Sequence, residues 1–541
     1  MTIGSPALAG YSLTITRLNS RWLTRQFSES PRFFNENEIP LAISAFQHIP
    51  FTIDKWGPLL PSLIVLPKND RYWDRLATAA KQTKGWSIPM AMNVLWVLAA
   101  FVITIVDSLV DFRYFITVPG DAGYSIAAVW AYLLPLVVGW LYVGYQPEAN
   151  HLSDALEEVR EITHVAAPSS PDSFPVMHGH YAIDYSTTHI DHVNADEKKT
   201  TPIFNYSRVF TWSQHAEHIL KLYKNAADKA HRRITVQRGG TWTTDNDGIP
   251  SPSNRIGNEV EVIQYCMPGV PDLGGDCPNF PIPQVPHPGS TPLSEHPAIT
   301  PQTAGMDADD YKFVHERVAT VSSGDFGSTV VDTLTKSPTD QDLEKEPPMS
   351  APRIPEDPVL ATFAKGVFQR VAFATVLALA LQWSTTGAAM LIHFNTPPKG
   401  IGCRATTFTS YGVTATVAFL LFLLSSVLAH LARPQIFPRR QVAAKSLIGY
   451  IATFARWLGK FMAIMNGLGI LLSSTMQIAG VYDSCFCSSS IFRGDPNGLV
   501  SFTEDNVRKS EVYIYWIGGI IMAFGSSIIY AFVIFVASPM G

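Results

Sequence analysis

The sequence predicts an all-α, polytopic transmembrane helix bundle of about six spans, arranged as two and then four, with a long, partly disordered cytosolic insertion. Three observations predict it. Six stretches are long and apolar enough to cross a bilayer. About 220 mostly polar residues separate the first pair from the last four. Charged residues make up only 16% of the 541-residue chain, below the roughly 25% usual for soluble proteins.

A hydrocarbon core of about 30 Å takes about 20 residues of helix. Spans are therefore expected near 87–110, 123–144, 369–393, 409–431, 461–481 and 513–537. The run Val417-Ala418-Phe419-Leu420-Leu421-Phe422-Leu423-Leu424 is apolar around its whole circumference, as a lipid-exposed helix is. Pro58 to Pro67 is apolar but too short to cross, and its prolines remove amide donors. It reads as a re-entrant, interfacial or buried piece. Tyr11 to Leu18 is shorter still and stays outside the count. The chain divides into a cytosolic N-terminal region 1–85, a helix pair 86–145, an insertion 146–365 and a four-helix region 366–541.

Flanking positive charges orient the helices. Arg433, Arg439, Arg440 and Lys445 lie between spans four and five with no acid among them, and Arg456 and Lys460 precede span five on the same side. Arg71, Arg75, Lys81 and Lys84 precede span one, and Lys365 and Arg370 precede span three. Both termini and the insertion are thus expected in the cytosol, with loops 394–408 and 482–512 outside. The start, Met1 to Pro6, lacks the basic patch and apolar core of a signal peptide, so membrane entry is expected to rely on the first span. The sequon Asn205-Tyr206-Ser207 falls on the cytosolic side and is expected to be unmodified.

Within the insertion, His151 to Ala166 has helical spacing, and a second helix is expected from about 206 to 232, with Val209, Trp212, Ala216, Ile219, Tyr223 and Ala227 on one face. Its basic end suits either the helix dipole or anionic headgroups. Gly248 to Gly305 is rich in proline, glycine and serine and is expected to be mostly disordered, as is the acidic, proline-interrupted stretch 334–357. Three P-x-x-P pieces (268–271, 278–281 and 283–286) have no Lys or Arg beside them and read as plain linker.

Candidate chemistry is sparse. His178, His180, Asp184, His189, Asp191 and His192 have H-x-H and H-x-x-H spacings that suit a metal, but no cysteine joins them and a solvated loop accounts for them. Cys485-Phe486-Cys487 has three readings: one Cys pairs with Cys403 across the outer loops, both are unpaired structural thiols, or they form a soft-metal or redox site. Polar residues within spans mark pathways or helix contacts. They are Asn93, Asp107, Gln382 and Asn466, and interhelical hydrogen bonds account for the three amides. So few buried titratable groups argue against an ion pump. No phosphate-binding loop, nucleophile elbow or dinucleotide fingerprint occurs, and no cofactor or metal is expected.

Several pieces carry a family resemblance: Ile3-Gly4-Ser5-Pro6-Ala7-Leu8-Ala9-Gly10-Tyr11-Ser12-Leu13, Trp86-Ser87-Ile88-Pro89, Phe204-Asn205-Tyr206-Ser207-Arg208, Leu381-Gln382-Trp383-Ser384-Thr385-Thr386-Gly387, Gly402-Cys403-Arg404 and Asp483-Ser484-Cys485-Phe486-Cys487. On these the chain resembles a group of multi-spanning membrane proteins of filamentous fungi with no assigned activity. The resemblance skips the proline-rich insertion and implies no functional residue. Similar proteins have a further apolar segment before the Ile3-Gly4-Ser5-Pro6 piece, so the resemblance implies an additional N-terminal span in the family.

The expected function is a membrane-embedded binding or scaffold protein of a plasma membrane or endomembrane. Its partners are the lipid bilayer and a cytosolic protein that docks on 146–365. A net charge of −5 gives no pull towards nucleic acid. The rival reading is a transporter or channel for a neutral or lipid-like solute. An enzyme ranks third, since no catalytic set assembles.

Overall fold

The computed structural model describes residues 3–54, 57–82, single helical positions between 92 and 106, 121–143, 150–176, 181–185, 192–199, 202–244, 250–268, 363–364, 366–396, 400–433, 442–479, 481–483 and 512–536. Most of these are helical. Among the described residues, four helices are long and apolar enough to cross a membrane. They belong to α10 (Val367–Asn395), α11 (Cys403–Leu431), α12 (Val442–Ile478) and α13 (Val512–Val536). Small side chains line their contacts: Ala374, Ala378, Ala388, Ala418, Ala463 and Ala523 are all buried, which lets backbones approach closely.

The region expected to form the second span is interrupted. It consists of α5 (Asp121–Trp130) and α6 (Leu133–Val143), joined by a turn at Ala131–Tyr132. Pro135 explains the break, because its ring clashes with the carbonyl of residue 131 and removes the amide that would bond it. Of the first expected span, Met92, Leu95, Val102 and Val106 are helical and exposed at steps of three, seven and four, the spacing of one helix face.

Helix α1 (Pro6–Ser28) departs most from expectation. Residues 1–85 read as a separate cytosolic region, yet Pro6 to Arg17 is buried. Ala7, Leu8, Tyr11 and Ile15 pack with Ala378, Phe419, Phe422 and Ala463 of the spanning helices. The other half of α1 belongs elsewhere: Leu23 and Phe27 sit in the core of a polar module. A mixed composition hides α1 from any hydropathy scan. Its two buried threonine hydroxyls are satisfied locally, as Thr14 Oγ1 donates to the Gly10 carbonyl at 2.8 Å and Thr16 Oγ1 to the Ser12 carbonyl at 2.8 Å.

The module combines α2 (Glu38–Ala45), α3 (Leu59–Val65), α4 (Asp70–Gln82), α7 (Asn150–Arg160), α8 (Asn205–His231) and α9 (Glu259–Cys266) around one apolar core. The N-terminal region and the insertion are therefore one folding unit. The Pro58–Pro67 piece holds α3 and is buried in that core. The helix expected over 151–166 stops at Arg160, and His164–Ala166 pairs as a strand with Ser173–Pro175. A second two-stranded pair joins Thr52–Ile53 to Ile183–Asp184.

The expectation of disorder from Gly248 fails over 250–268. Arg255 is buried and grips Asp70 through both terminal nitrogens at 2.8 and 2.6 Å, with its guanidinium 3.9 Å from the Phe34 ring centre. Asn258 and Glu261 form a capping box at the start of α9. These polar anchors order a segment whose own apolar content is too low to do so. Cys266 is a buried free thiol, pushed up to about 12 by burial. The other linker residues and, apart from Pro268, all three P-x-x-P pieces lie outside the described residues. The sequon Asn205 is buried, and its amide donates to Thr16 Oγ1 at 2.8 Å.

Gly4 marks the closest helix approach. A Cβ there would lie 1.6 Å from the Ala463 carbonyl oxygen, a backbone atom that cannot swing aside. Gly4→Ala should lower stability by at least about 2 kcal/mol, read as a reduced Tm of the detergent-solubilised chain.

Candidate functional site

Two polar sites lie among the long helices. The first gathers around the start of α1. Gln382, near the middle of α10, accepts from the Ala7 amide at 3.2 Å, one of the amides a helix start leaves without an internal partner. Its own amide donates to the Gly412 carbonyl at 3.0 Å and Thr416 Oγ1 at 2.8 Å. Asn466 of α12 donates to the carbonyls of Gly4 at 2.9 Å and Tyr411 at 3.1 Å. Tyr411 donates to the Ile3 carbonyl at 2.5 Å. Gln382 and Asn466 thus meet at one place and close α1 onto three other helices. Asn93 and Asp107 lie outside the described residues.

The second site was not anticipated. The 3₁₀ turn His192–Lys198 of the insertion carries Asp196 against α12. Asp196 is only 1% exposed. It accepts from Lys460 Nζ at 2.5 Å and Tyr206 OH at 2.5 Å, and Arg456 Nε lies 3.8 Å away. Beside it, Glu197 receives Arg433 Nη2 on both oxygens at 2.7 Å and Thr211 Oγ1 at 3.0 Å. Arg208 is buried and donates to the Gln47 carbonyl, the Lys199 carbonyl and Asn205 Oδ1. Burial pushes its guanidinium down to about 10, with Glu197 pulling the other way, so it stays charged at neutral pH. Burial and then the Asp196 carboxylate hold the Tyr206 phenol well above its usual range.

The cluster sits midway along an outward apolar face. Leu447 and Leu472 of α12 are both exposed. They stand about 20 Å and about 18 Å along the axis on either side of Lys460 at 1.5 Å per residue. Arg456 and Lys460 read in sequence as the flank before a span at 461–481. The apolar helix there runs Ser446–Gln477, longer than the expected span, and both cations lie within its length. Asp196 and Glu197 are buried ionisable groups that the sequence reading passed over. The signal that could have found the site is the i, i+4 pair Arg456/Lys460 beside so apolar a helix.

At the opposite end, His393 stacks on Phe408 with ring centres 5.2 Å apart and hydrogen-bonds Gln477 at 2.9 Å. Trp516 Nε1 donates to Thr396 Oγ1 at 2.9 Å. Cys403 opens α11 and is disulfide-bonded, whereas Cys485 and Cys487 lie outside the described residues. Of the histidine-rich stretch, His178, His180, His189 and Asp191 also lie outside them. Asp184 pairs instead with Arg160 at 2.6 Å. Among the described residues no group of three or more His, Cys, Asp or Glu is placed to hold a metal.

Fold and sites together define an α-helical membrane protein with a folded polar module built onto its bundle. No family model, curated protein or solved structure matches the chain.

Removing one partner of a buried ion pair strands the others. Asp196→Asn should destabilise the protein by about 3 kcal/mol, and adding Lys460→Gln should recover part of the lost Tm by rebalancing charge. His48 gives a second expectation. Burial, then the Arg208 charge, takes its imidazole from 6.5 down to about 3. The unfolded chain therefore binds a proton near pH 6.5 and the folded chain only near pH 3, so stability falls as pH drops through that window. Between pH 7 and pH 5 the loss should be about 2 kcal/mol, and His48→Gln should flatten that part of the Tm profile.

Proposed function

We propose that this chain is a multi-pass membrane scaffold that holds its polar module in fixed register with the bilayer, on the cytosolic side. One observation carries the reading: α1 contributes half its length to the module core and half to the bundle, and the Asp196 cluster fastens the same two parts a second time. A module fastened twice is suited to presenting a docking surface at a set height above the lipid. The reading takes about six crossings, adding the stretches near 87–110 and 123–144 to the four apolar helices. It places the chain in a fungal plasma membrane or endomembrane, in keeping with the family resemblance, and assigns a cytosolic protein partner to 146–365. It gives Cys403 a partner at Cys485 or Cys487 on the outer side.

The rival reading, transport of a neutral or lipid-like solute, draws on the same cluster. Ionisable groups between outward apolar faces frequently mark a pathway.

A photo-crosslinking residue in place of Lys221, on the exposed face of α8, separates the two. The scaffold reading expects one stoichiometric protein adduct in intact cells. No adduct, together with solute flux through the reconstituted protein that Asp196→Asn abolishes, would replace scaffold with transporter.

A further inference from the structure

Arg370 stands in the first turn of α10, and only 8% of it is exposed. Its Nε donates to Asn19 Oδ1 at 2.9 Å, its Nη2 to Ser213 Oγ at 3.3 Å, and its guanidinium lies 4.2 Å from the Trp22 ring centre. None of these neighbours is charged. Glu217, the acid that acts on it electrostatically, also pairs with Lys221 at 3.2 Å. Nη1 has no hydrogen-bond partner. A buried cation with an unmet donor calls for a counter-anion.

The surroundings of Nη1 indicate which anion. It lies 4.0 Å from where a Cβ on Gly366 would stand, and nothing else stands that close to the position. Gly366 is the N-cap of α10. It adopts the left-handed conformation at φ 74° and offers no side-chain cap. The position is exposed. Amides of the first helical turn point towards that end and the helix dipole favours negative charge there. An uncapped helix start joined by a guanidinium N–H suits a tetrahedral oxyanion. Phe368, 48% exposed, and Phe373 face outward just beyond, as residues at a lipid boundary do. Basic sites at the cytosolic ends of spanning helices meet phospholipid headgroups first.

The amides of Val367 and Arg370 already donate to the Ala364 and Gly366 carbonyls. From this we infer that the start of α10 binds a phosphate group, held by Arg370 Nη1 and the amides of Phe368 and Gln369. A glycerophospholipid headgroup and free phosphate share that chemistry. The site is separate from the scaffold role and stands or falls independently of it.

The test uses the full chain in detergent, with thermal unfolding followed on adding a short-chain phosphatidic acid, the matching diacylglycerol, or inorganic phosphate. Phosphatidic acid should raise Tm by several degrees at saturation and diacylglycerol should not. An equal rise with inorganic phosphate identifies the free anion as sufficient, and a rise with phosphatidic acid alone identifies the lipid. Arg370→Gln should weaken the apparent affinity at least tenfold. Asn19→Asp guards against simple misfolding, because it supplies Arg370 with a carboxylate from within. It should raise the ligand-free Tm and shrink the phosphate response. No shift in the wild-type chain with either phosphate, or an undiminished shift in both variants, overturns the site.

Discussion

Every polar group carried into the helix bundle must find its partner there, because hydrocarbon offers none. That constraint organises the molecule. Helix α1 brings a free helix start, a row of hydroxyls and a glycine carbonyl among apolar helices; the threonine and serine hydroxyls turn to backbone carbonyls, and particular side chains meet the helix start. Gln382 meets the amide of Ala7, and Asn466 meets the carbonyl of Gly4. Tyr530 OH donates to the Gly10 carbonyl at 2.7 Å and lies 2.9 Å from Thr14 Oγ1. Hydrogen bonds of this kind add modestly to stability when made and cost much more when broken. They fix the position of α1 along its neighbours more than they strengthen the bundle.

The Asp196 cluster applies the same rule to full charges. Asp196, 1% exposed, lies against Lys460 and Arg456, and each charge is the other's partner where water has little access. The turn that carries Asp196 belongs to the insertion, so the insertion is a structural part of the bundle rather than an appendage. Tyr206 continues the link, since its hydroxyl holds Asp196 while its carbonyl accepts from Ser426 of α11 at 2.6 Å.

Much of the bundle was legible in the sequence and much of the module was not, for physical reasons. The helices around 369–393, 409–431 and 513–537 are apolar all round, so hydropathy alone finds them. Helix α8 was legible from its three- and four-residue apolar steps. Helix α12 is longer than the span expected at 461–481, and the contact of Lys460 with residue 196, more than 250 positions away, leaves no trace in any local pattern. Helix α1 escaped because Ser12, Thr14, Thr16, Arg17 and Asn19 dilute its apolar residues. Its burial depends on partners from α8, α10 and α13. Gln382 and Asn466 stood out as amides on apolar helices, but nothing in the sequence told that a helix start from residues 4–7 would be what they bind.

Long-range pairing of this kind also bears on how the protein works. Helix α1 cannot shift along its axis without exposing the Gly4 carbonyl and the Ala7 amide to an apolar surround. The 192–198 turn cannot lift without leaving Lys460 and Arg456 unpaired. A rigid-body rocking of module against bundle would have to break both sets together, and each is expensive alone. Motion that spares them is confined to stretches that neither set ties. The part of α12 beyond Asn466, where Leu468, Leu471 and Leu472 face outward, is one such place. This distribution of constraint favours a fixed platform, and it limits any transport pathway to the side of the bundle away from α1.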